Sequence, residues 1–229
     1  MKHRLLDLFC GRFGWSRAFA DHGWECVGVD LIEPELEDDV LQASGRLVFV
    51  KADVLTLTAQ WILENRFDFI CASSPCEQFS VHGMKHFNPT PPQPEFGLKL
   101  FNHTRSICEA SGLPYVIENV RAAQAFVGKA VHHCGPFYLW GNAVPPLMAQ
   151  GVTKGIDVGS SKLVKTMGKE ERRVYRAQFA WNQAWPSYKK RGRDVAKAAT
   201  IPIELSTCVA DYADRLMQEK RQGLKCYPD

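Results

Sequence analysis

The chain has no C-x-x-C pair; its eight cysteines stand at 10, 26, 71, 76, 108, 134, 208 and 226 with irregular spacing. That excludes a disulfide framework or a zinc ribbon, and a reducing cytoplasm is the expected setting. His82, His86 and the His132-His133-Cys134 cluster lack further ligands at set spacing, so no metal is expected. No apolar run reaches transmembrane length, and the opening stretch, interrupted by Asp7, is too short for a signal peptide. Internal repeats and low-complexity tracts are absent, which excludes solenoids and composition-driven disorder. Missing too is G-x-G-x-x-G: the first glycines are Gly11 and Gly14, with Arg12 and Phe13 between them. A dinucleotide pyrophosphate would find that turn crowded, which disfavours an oxidoreductase.

What is present begins with ordinary globular content, 45% hydrophobic and 23% charged over 229 residues, enough for one well-buried domain with a small appendage. The net charge of +3 conceals an asymmetry. Gly151 to Lys197 holds twelve Lys/Arg and four Asp/Glu, a balance of +8, and leaves 16 basic against 21 acidic residues, or −5, elsewhere. An acidic body with a basic segment suggests a surface for a polyanion such as nucleic acid.

Strand and helix patterns alternate through the first 128 residues. Strands are expected at 4–9, 25–30, 47–50, 67–72 and 115–117, and helices at 15–22, 59–65 and 96–111. Residues 77–95, with Gly83 and four prolines, read as a long loop, and a last helix is expected from about Glu204 to Gln218. Such alternation implies a parallel sheet with helices on both faces, and ligands then sit beyond the carboxyl ends of the strands. Gly11, Asp30, Asp53, Cys76 and Glu118 all lie at those ends. Trp140, Trp181 and Trp185 read as core or hairpin packing before base stacking.

A glycine straight after the first strand lets the backbone approach a ligand, and the helix behind it turns N–H groups toward an anion. Asp30 ends strand two, 19 residues beyond Gly11, where ribose hydroxyls are commonly bound. Asp53 would accept from an adenine amino group. A small cofactor whose only anion is a carboxylate suits this turn, and S-adenosylmethionine is such a molecule.

Asp7-Leu8-Phe9-Cys10-Gly11, Val29-Asp30, Ala52-Asp53-Val54, Ser74-Pro75-Cys76-Glu77-Gln78-Phe79-Ser80 and Glu118-Asn119-Val120 follow one another in the order and spacing of a known signature. The chain thereby resembles the cytosine-5 DNA methyltransferases, in particular their small phage-type members, over about residues 4–120. The resemblance implies an α/β fold, the Rossmann-like parallel sheet of class I S-adenosylmethionine-dependent methyltransferases, with a reduced target-recognition region. It implies a catalytic domain over residues 1–128, a small basic recognition-like region over 129–197 and a C-terminal segment returning over 198–229. Cys76 would add to carbon 6 of a flipped cytosine, with Pro75 stiffening its turn. Glu118 would act at ring nitrogen 3, and Asn119 would hold the glutamate or the loop backbone. Asp7, Phe9, Gly11, Gly14, Asp30, Leu31, Asp53 and Val54 would surround the cofactor. Ser80, Gly83 and Lys85 would lie on a lid over the DNA. The expected partner is double-stranded DNA, the expected state a monomer, and the expected location the cytoplasm of a bacterial or phage-infected cell. Methylation of RNA or single-stranded DNA, or a relative that binds without catalysis, are the alternatives.

The sequence departs from the family in three places. Phe13 replaces the glycine normally paired with Gly14, so the cofactor turn must be rearranged. No Arg-x-Arg block follows Glu-Asn-Val, and Arg173 in Arg173-Val174-Tyr175 is the substitute for a cytosine O2 contact. Gly141-Asn142-Ala143-Val144-Pro145 has the wording of the family's last block but comes too early, so Ala199-Thr200-Ile201-Pro202 before the closing helix takes that place. A recognition region this short implies phosphate contacts with little base readout, hence a short or lax target sequence.

Overall fold

The computed structural model describes residues 2–33, 46–76, 79, 94–146 and 201–223. Among them a seven-stranded sheet runs in the order β3-β2-β1-β4-β5-β7-β6. The strands are β1 (Arg4–Leu8), β2 (Glu25–Asp30), β3 (Leu47–Lys51), β4 (Phe69–Ser73), β5 (Tyr115–Asn119), β6 (His132–Cys134) and β7 (Phe137–Trp140). The first five are parallel; β7 pairs antiparallel with β5, and β6 with β7. The helices are α1 (Ser16–Asp21), α2 (Ala59–Glu64), α3 (Pro94–Ser111), α4 (Gln124–Val127) and α5 (Ile203–Arg221).

Alternation along the strands sorts side chains onto two faces. Leu6, Leu8, Val27, Val29, Ile70, Ala72 and Ile117 pack with Ile62 of α2 and Phe101 and Ile107 of α3 in one continuous core. The opposite face, bearing Leu5, Asp7, Cys26, Gly28, Phe69 and Cys71, meets α1 and α5. There Phe19 lies edge-on to Trp24 at 5.1 Å and tilted on Phe69 at 5.7 Å. The Ser206 hydroxyl of α5 donates to the Trp15 carbonyl at 2.6 Å, and Asp214 accepts from the Trp24 indole at 2.7 Å. The closing helix is therefore fastened to the residues flanking α1 on both sides.

One compact unit contains residues 1–145 together with 201–229. Beyond residue 128, where a boundary was expected, β6 and β7 extend the sheet, and residues 129–145 belong to the same unit. The physical reason is local. Gly135-Pro136 closes a two-residue turn, Trp140 donates to the Gly128 carbonyl at 3.0 Å, and its ring meets Phe101 at 5.3 Å. Gly141-Asn142-Ala143 clips the exit of β7 to the entry of β5: Asn142 accepts from Tyr115 N–H at 2.8 Å and donates to the Leu113 carbonyl at 3.2 Å. That run is a structural clasp. Among the described residues no helix is long and apolar enough to cross a membrane.

Candidate active site

Among the described residues, those expected to act lie at or just beyond the carboxyl ends of β1 to β5, because parallel strands end together. At the end of β1 the chain enters a tight turn with Phe9 at φ 57°, Gly11 at 46° and Phe13 at 59°. Two non-glycine residues in the left-handed region within five positions is backbone strain of about 1–2 kcal/mol each, held by surrounding contacts. Phe13 explains how the missing glycine is tolerated. Its ring is buried and lies where a side chain at residue 28 would be, and Gly28 on β2 supplies the room. The bulk expected to crowd the turn is therefore directed into the core.

The turn's N–H groups are largely committed inside the protein. Gly11 N–H donates to Asp30 Oδ2 at 3.0 Å, Phe13 N–H to the Cys10 carbonyl at 2.7 Å, and Ser16 N–H to Asp7 Oδ2 at 3.2 Å. The helix N–H expected to face an anion is thus engaged at Ser16 by Asp7. Asp30 is the turn's brace as well as its acid, since its other oxygen accepts from Leu31 N–H at 2.7 Å. Asp7 is fully buried and takes the Ser16 hydroxyl at 2.7 Å, so it organises the turn from beneath. Burial pushes its carboxyl up to about 7.

The ligand side remains open: a side chain at Gly11 would meet nothing within 4 Å. Leu31 and Ile32, 59% and 76% exposed, offer apolar surface just beyond Asp30. Asp53 caps the 3-10 turn that begins at Val54, accepting from Leu55 N–H at 2.9 Å; Val54 itself is buried. An open glycine turn, an acid and an exposed apolar pair suit the carboxylate-bearing, ribose-bearing and heterocyclic parts of S-adenosylmethionine. Gly14 stands in the same turn, between Phe13 and Trp15.

At the neighbouring strand ends the residues expected to react are tied together. Ser73 and Glu118 are register partners across β4 and β5, and the Ser73 hydroxyl lowers the proton affinity of the Glu118 carboxyl. Asn119 is fully buried, and its amide donates to the Ser74 carbonyl at 2.9 Å and the Ser74 hydroxyl at 3.0 Å. Of its two expected tasks the hydrogen bonds match the second, holding the loop backbone. Next come Pro75 and Cys76, both half-buried, and the Cys76 carbonyl accepts from Phe79 N–H at 3.0 Å. Phe79 is fully buried and packs on Phe126 at 5.7 Å. Cys76 is thus held from both sides, by Asn119 before it and the Phe79 plug after it.

Burial pushes the Glu118 carboxyl up to about 8, against the lowering effect of the Ser73 hydroxyl. The carboxyl therefore keeps its proton near neutral pH. Burial also pushes up the core thiols Cys10, Cys26, Cys71 and Cys108, with Cys134 at about 12, which fits their role as small apolar fillers. Sequence reasoning missed Trp15 and Ser73 beside the site, and took Phe79 only as part of the Ser74–Ser80 signature without a role. Phe79 had a signal, being an aromatic three residues beyond Cys76; Trp15 and Ser73 become visible only once the β4–β5 register is known. Ser80, Gly83, Lys85 and Arg173 lie outside the described residues.

Among curated protein sequences none matches significantly. A family model described as C-5 cytosine-specific DNA methylase matches residues 3–133. Among solved structures the chain is similar to a candidate DNA modification methyltransferase encoded within an E. coli prophage, at 20% identity and a TM-score of 0.39 over 56% of this chain and 35% of that one. It is also similar to a mutant of Spodoptera frugiperda DNMT2, at 20% identity and a TM-score of 0.37 over 55% of this chain and 38% of that one. The S. pombe Dnmt2 methyltransferase follows at 18% identity and a TM-score of 0.36, over 54% and 35%. The chain thus spans little more than a third of the length of these three proteins.

Proposed function

The chain belongs to the C-5 cytosine-specific DNA methylase family, and on that premise we propose that it transfers a methyl group from S-adenosylmethionine to carbon 5 of a cytosine in DNA. Cys76 is the nucleophile and Glu118 the acid. The observation that carries this reading is the linkage of their two strand ends by Asn119 and Ser73, which binds the thiol's turn to the carboxyl's strand.

Bound S-adenosylmethionine supplies an electrophilic methyl on a sulfonium sulfur. The chain's residues make cytosine able to accept it. The Cys76 thiolate forms a bond to carbon 6, and the carbon 5–carbon 6 electron pair becomes available at carbon 5. Glu118, protonated below about pH 8, donates to ring nitrogen 3 and neutralises the negative charge that sulfur addition would otherwise leave on the ring. After transfer a base takes the carbon 5 proton, the sulfur–carbon 6 bond breaks, and Cys76 leaves as thiolate while nitrogen 3 returns its proton. The Gly11–Asp30 turn, Leu31, Asp53 and Val54 hold the methyl donor, with Phe9 and Gly14 shaping the turn and Asp7 bracing it. Since a stacked cytosine is out of reach, the base must be flipped into the site. Ser80, Gly83 and Lys85 are proposed to cover it, and Arg173 to approach it from the basic segment, itself proposed to contact double-stranded DNA.

Labelled-methyl transfer into duplex DNA, single strands and RNA tests the reading. Duplex DNA is the expected acceptor, and Cys76→Ser should abolish both transfer and covalent trapping on DNA containing 5-fluorocytosine. Transfer persisting in Cys76→Ser, or acceptance of RNA alone, overturns it.

A further inference from the structure

Phe126, on the short helix α4, is 44% exposed and is the one aromatic among the exposed large hydrophobics of the described residues. Its ring lies 5.7 Å from that of Phe79, tilted by 37°, within the range where aromatic pairs attract. Phe79 is fully buried, and its N–H donates to the Cys76 carbonyl at 3.0 Å. Two successive contacts therefore join a surface ring to the backbone of the thiol-bearing residue.

The backbone around Phe126 can serve as the fixed end of that chain. Ala123 and Val127 are buried on either side of it. Arg105 of α3 donates to the Val127 carbonyl at 2.9 Å, the Gln124 side chain accepts from Ala130 N–H at 3.1 Å, and the Trp140 indole donates to the Gly128 carbonyl at 3.0 Å. The residues just before Cys76 are fastened by hydrogen bonds: the Trp15 indole donates to the Ser73 hydroxyl at 2.9 Å, and Asn119 donates to Ser74. After Cys76 the hold passes to packing, with the Phe79 ring in the core and Phe126 against it. Asn119 and Phe126 stand seven residues apart, so the run leading out of β5 holds the thiol's segment both before and after Cys76.

We propose that Phe126 is a positioning residue, which keeps the Phe79 ring seated and through it fixes the Cys76 backbone that presents the thiol. This rests on the reading of Cys76 as the nucleophile in cytosine methylation. Removing the Phe126 ring uncovers part of the Phe79 ring, and the bond from Phe79 N–H to the Cys76 carbonyl then opens more often. Sulfur addition requires close alignment of the thiolate with carbon 6, so the loss falls on turnover and not on binding.

Hydrogen exchange and steady-state kinetics test this together. In Phe126→Ala the Phe79 amide should exchange several-fold to about tenfold faster, the range expected for one aromatic pair, while the Ile70 amide of β4 keeps its protection. Methyl transfer to duplex DNA should lose a similar factor in kcat, with KM for DNA and for S-adenosylmethionine unchanged. Phe126→Tyr keeps the ring and should restore both readouts; Phe126→Leu should fall between. Unaltered Phe79 exchange, or faster exchange with kcat unchanged, overturns the proposal. So does a raised KM for DNA at unchanged kcat, which would make the exposed ring a DNA contact. Should Phe126→Ala unfold, seen as Ile70 losing protection with Phe79, the Leu and Tyr variants still decide. If the wild type transfers no methyl, faster Phe79 exchange in Phe126→Ala upholds the hold on Cys76 and overturns the methyl-transfer reading.

Discussion

Phe13 occupies a left-handed position that glycine would adopt without penalty, and the protein accommodates it by leaving residue 28 without a side chain. The two positions are one packing unit, written 15 residues apart in sequence. A methyl group at residue 28 would run into the Phe13 ring and approach Cys10 Sγ to 2.7 Å. Gly28→Ala is therefore expected to destabilise the protein by about 1–3 kcal/mol, the usual cost of overpacking a tight core. Because the strain falls on residues 10–13, it should also weaken binding of S-adenosylmethionine. A urea midpoint and a calorimetric affinity, measured together, check both. An alanine variant that is stable and binds normally would show that the turn does not depend on this contact.

Strands β1, β2, β4 and β5 were legible because both of their faces are buried, and short apolar runs ending in Asp30, Glu118 or a glycine turn have few other readings. Their observed bounds fall within two residues of the expected ones. The β6–β7 hairpin was not legible. His132-His133-Cys134 is half polar and three residues long, and only pairing with β7 gives it a place in the sheet. Register was equally hidden: nothing in Ser73 or Trp15 taken alone announces a shared hydrogen bond 58 residues apart. The early Gly141-Asn142-Ala143 run shows how wording can mislead, since its work is to fasten β7 to β5. Asn142→Ala removes the acceptor for the Tyr115 amide, and a loss of about 1–3 kcal/mol is expected. Faster hydrogen exchange at Tyr115, with Asn142→Asp retaining most of the protection, would identify that bond as the cause.

At the scale of the whole molecule a buried carboxyl, Asp7, and a half-buried one, Glu118, make stability depend on pH in an unusual direction. Asp7 and Glu118 titrate at about 7 and about 8 in the folded protein, against 3.8 and 4.5 without burial. Between those limits the folded state holds protons that the unfolded chain has released, so raising the pH favours unfolding. Their contribution is most favourable below the lower pair, declines through the window and levels off above about 8. Most carboxylates in folded proteins act in the opposite sense, being paired and ionised. The protein thus keeps acidic groups neutral beneath the cofactor turn and beside the thiol's turn, at a cost in stability as the medium becomes alkaline. Asp7→Asn retains an acceptor for Ser16 and removes the titration. Urea midpoints at about pH 5.5 and about pH 8.5 should fall with pH in the wild type, and Asp7→Asn should recover on the order of 2 kcal/mol of the difference. Glu118→Gln should recover a comparable part while eliminating the acid of the proposed methyl transfer. A wild-type midpoint that stays level across this window, or one that the two variants leave just as steep, would mean that these carboxyls are ionised in the folded state and that Glu118 is not the proton donor.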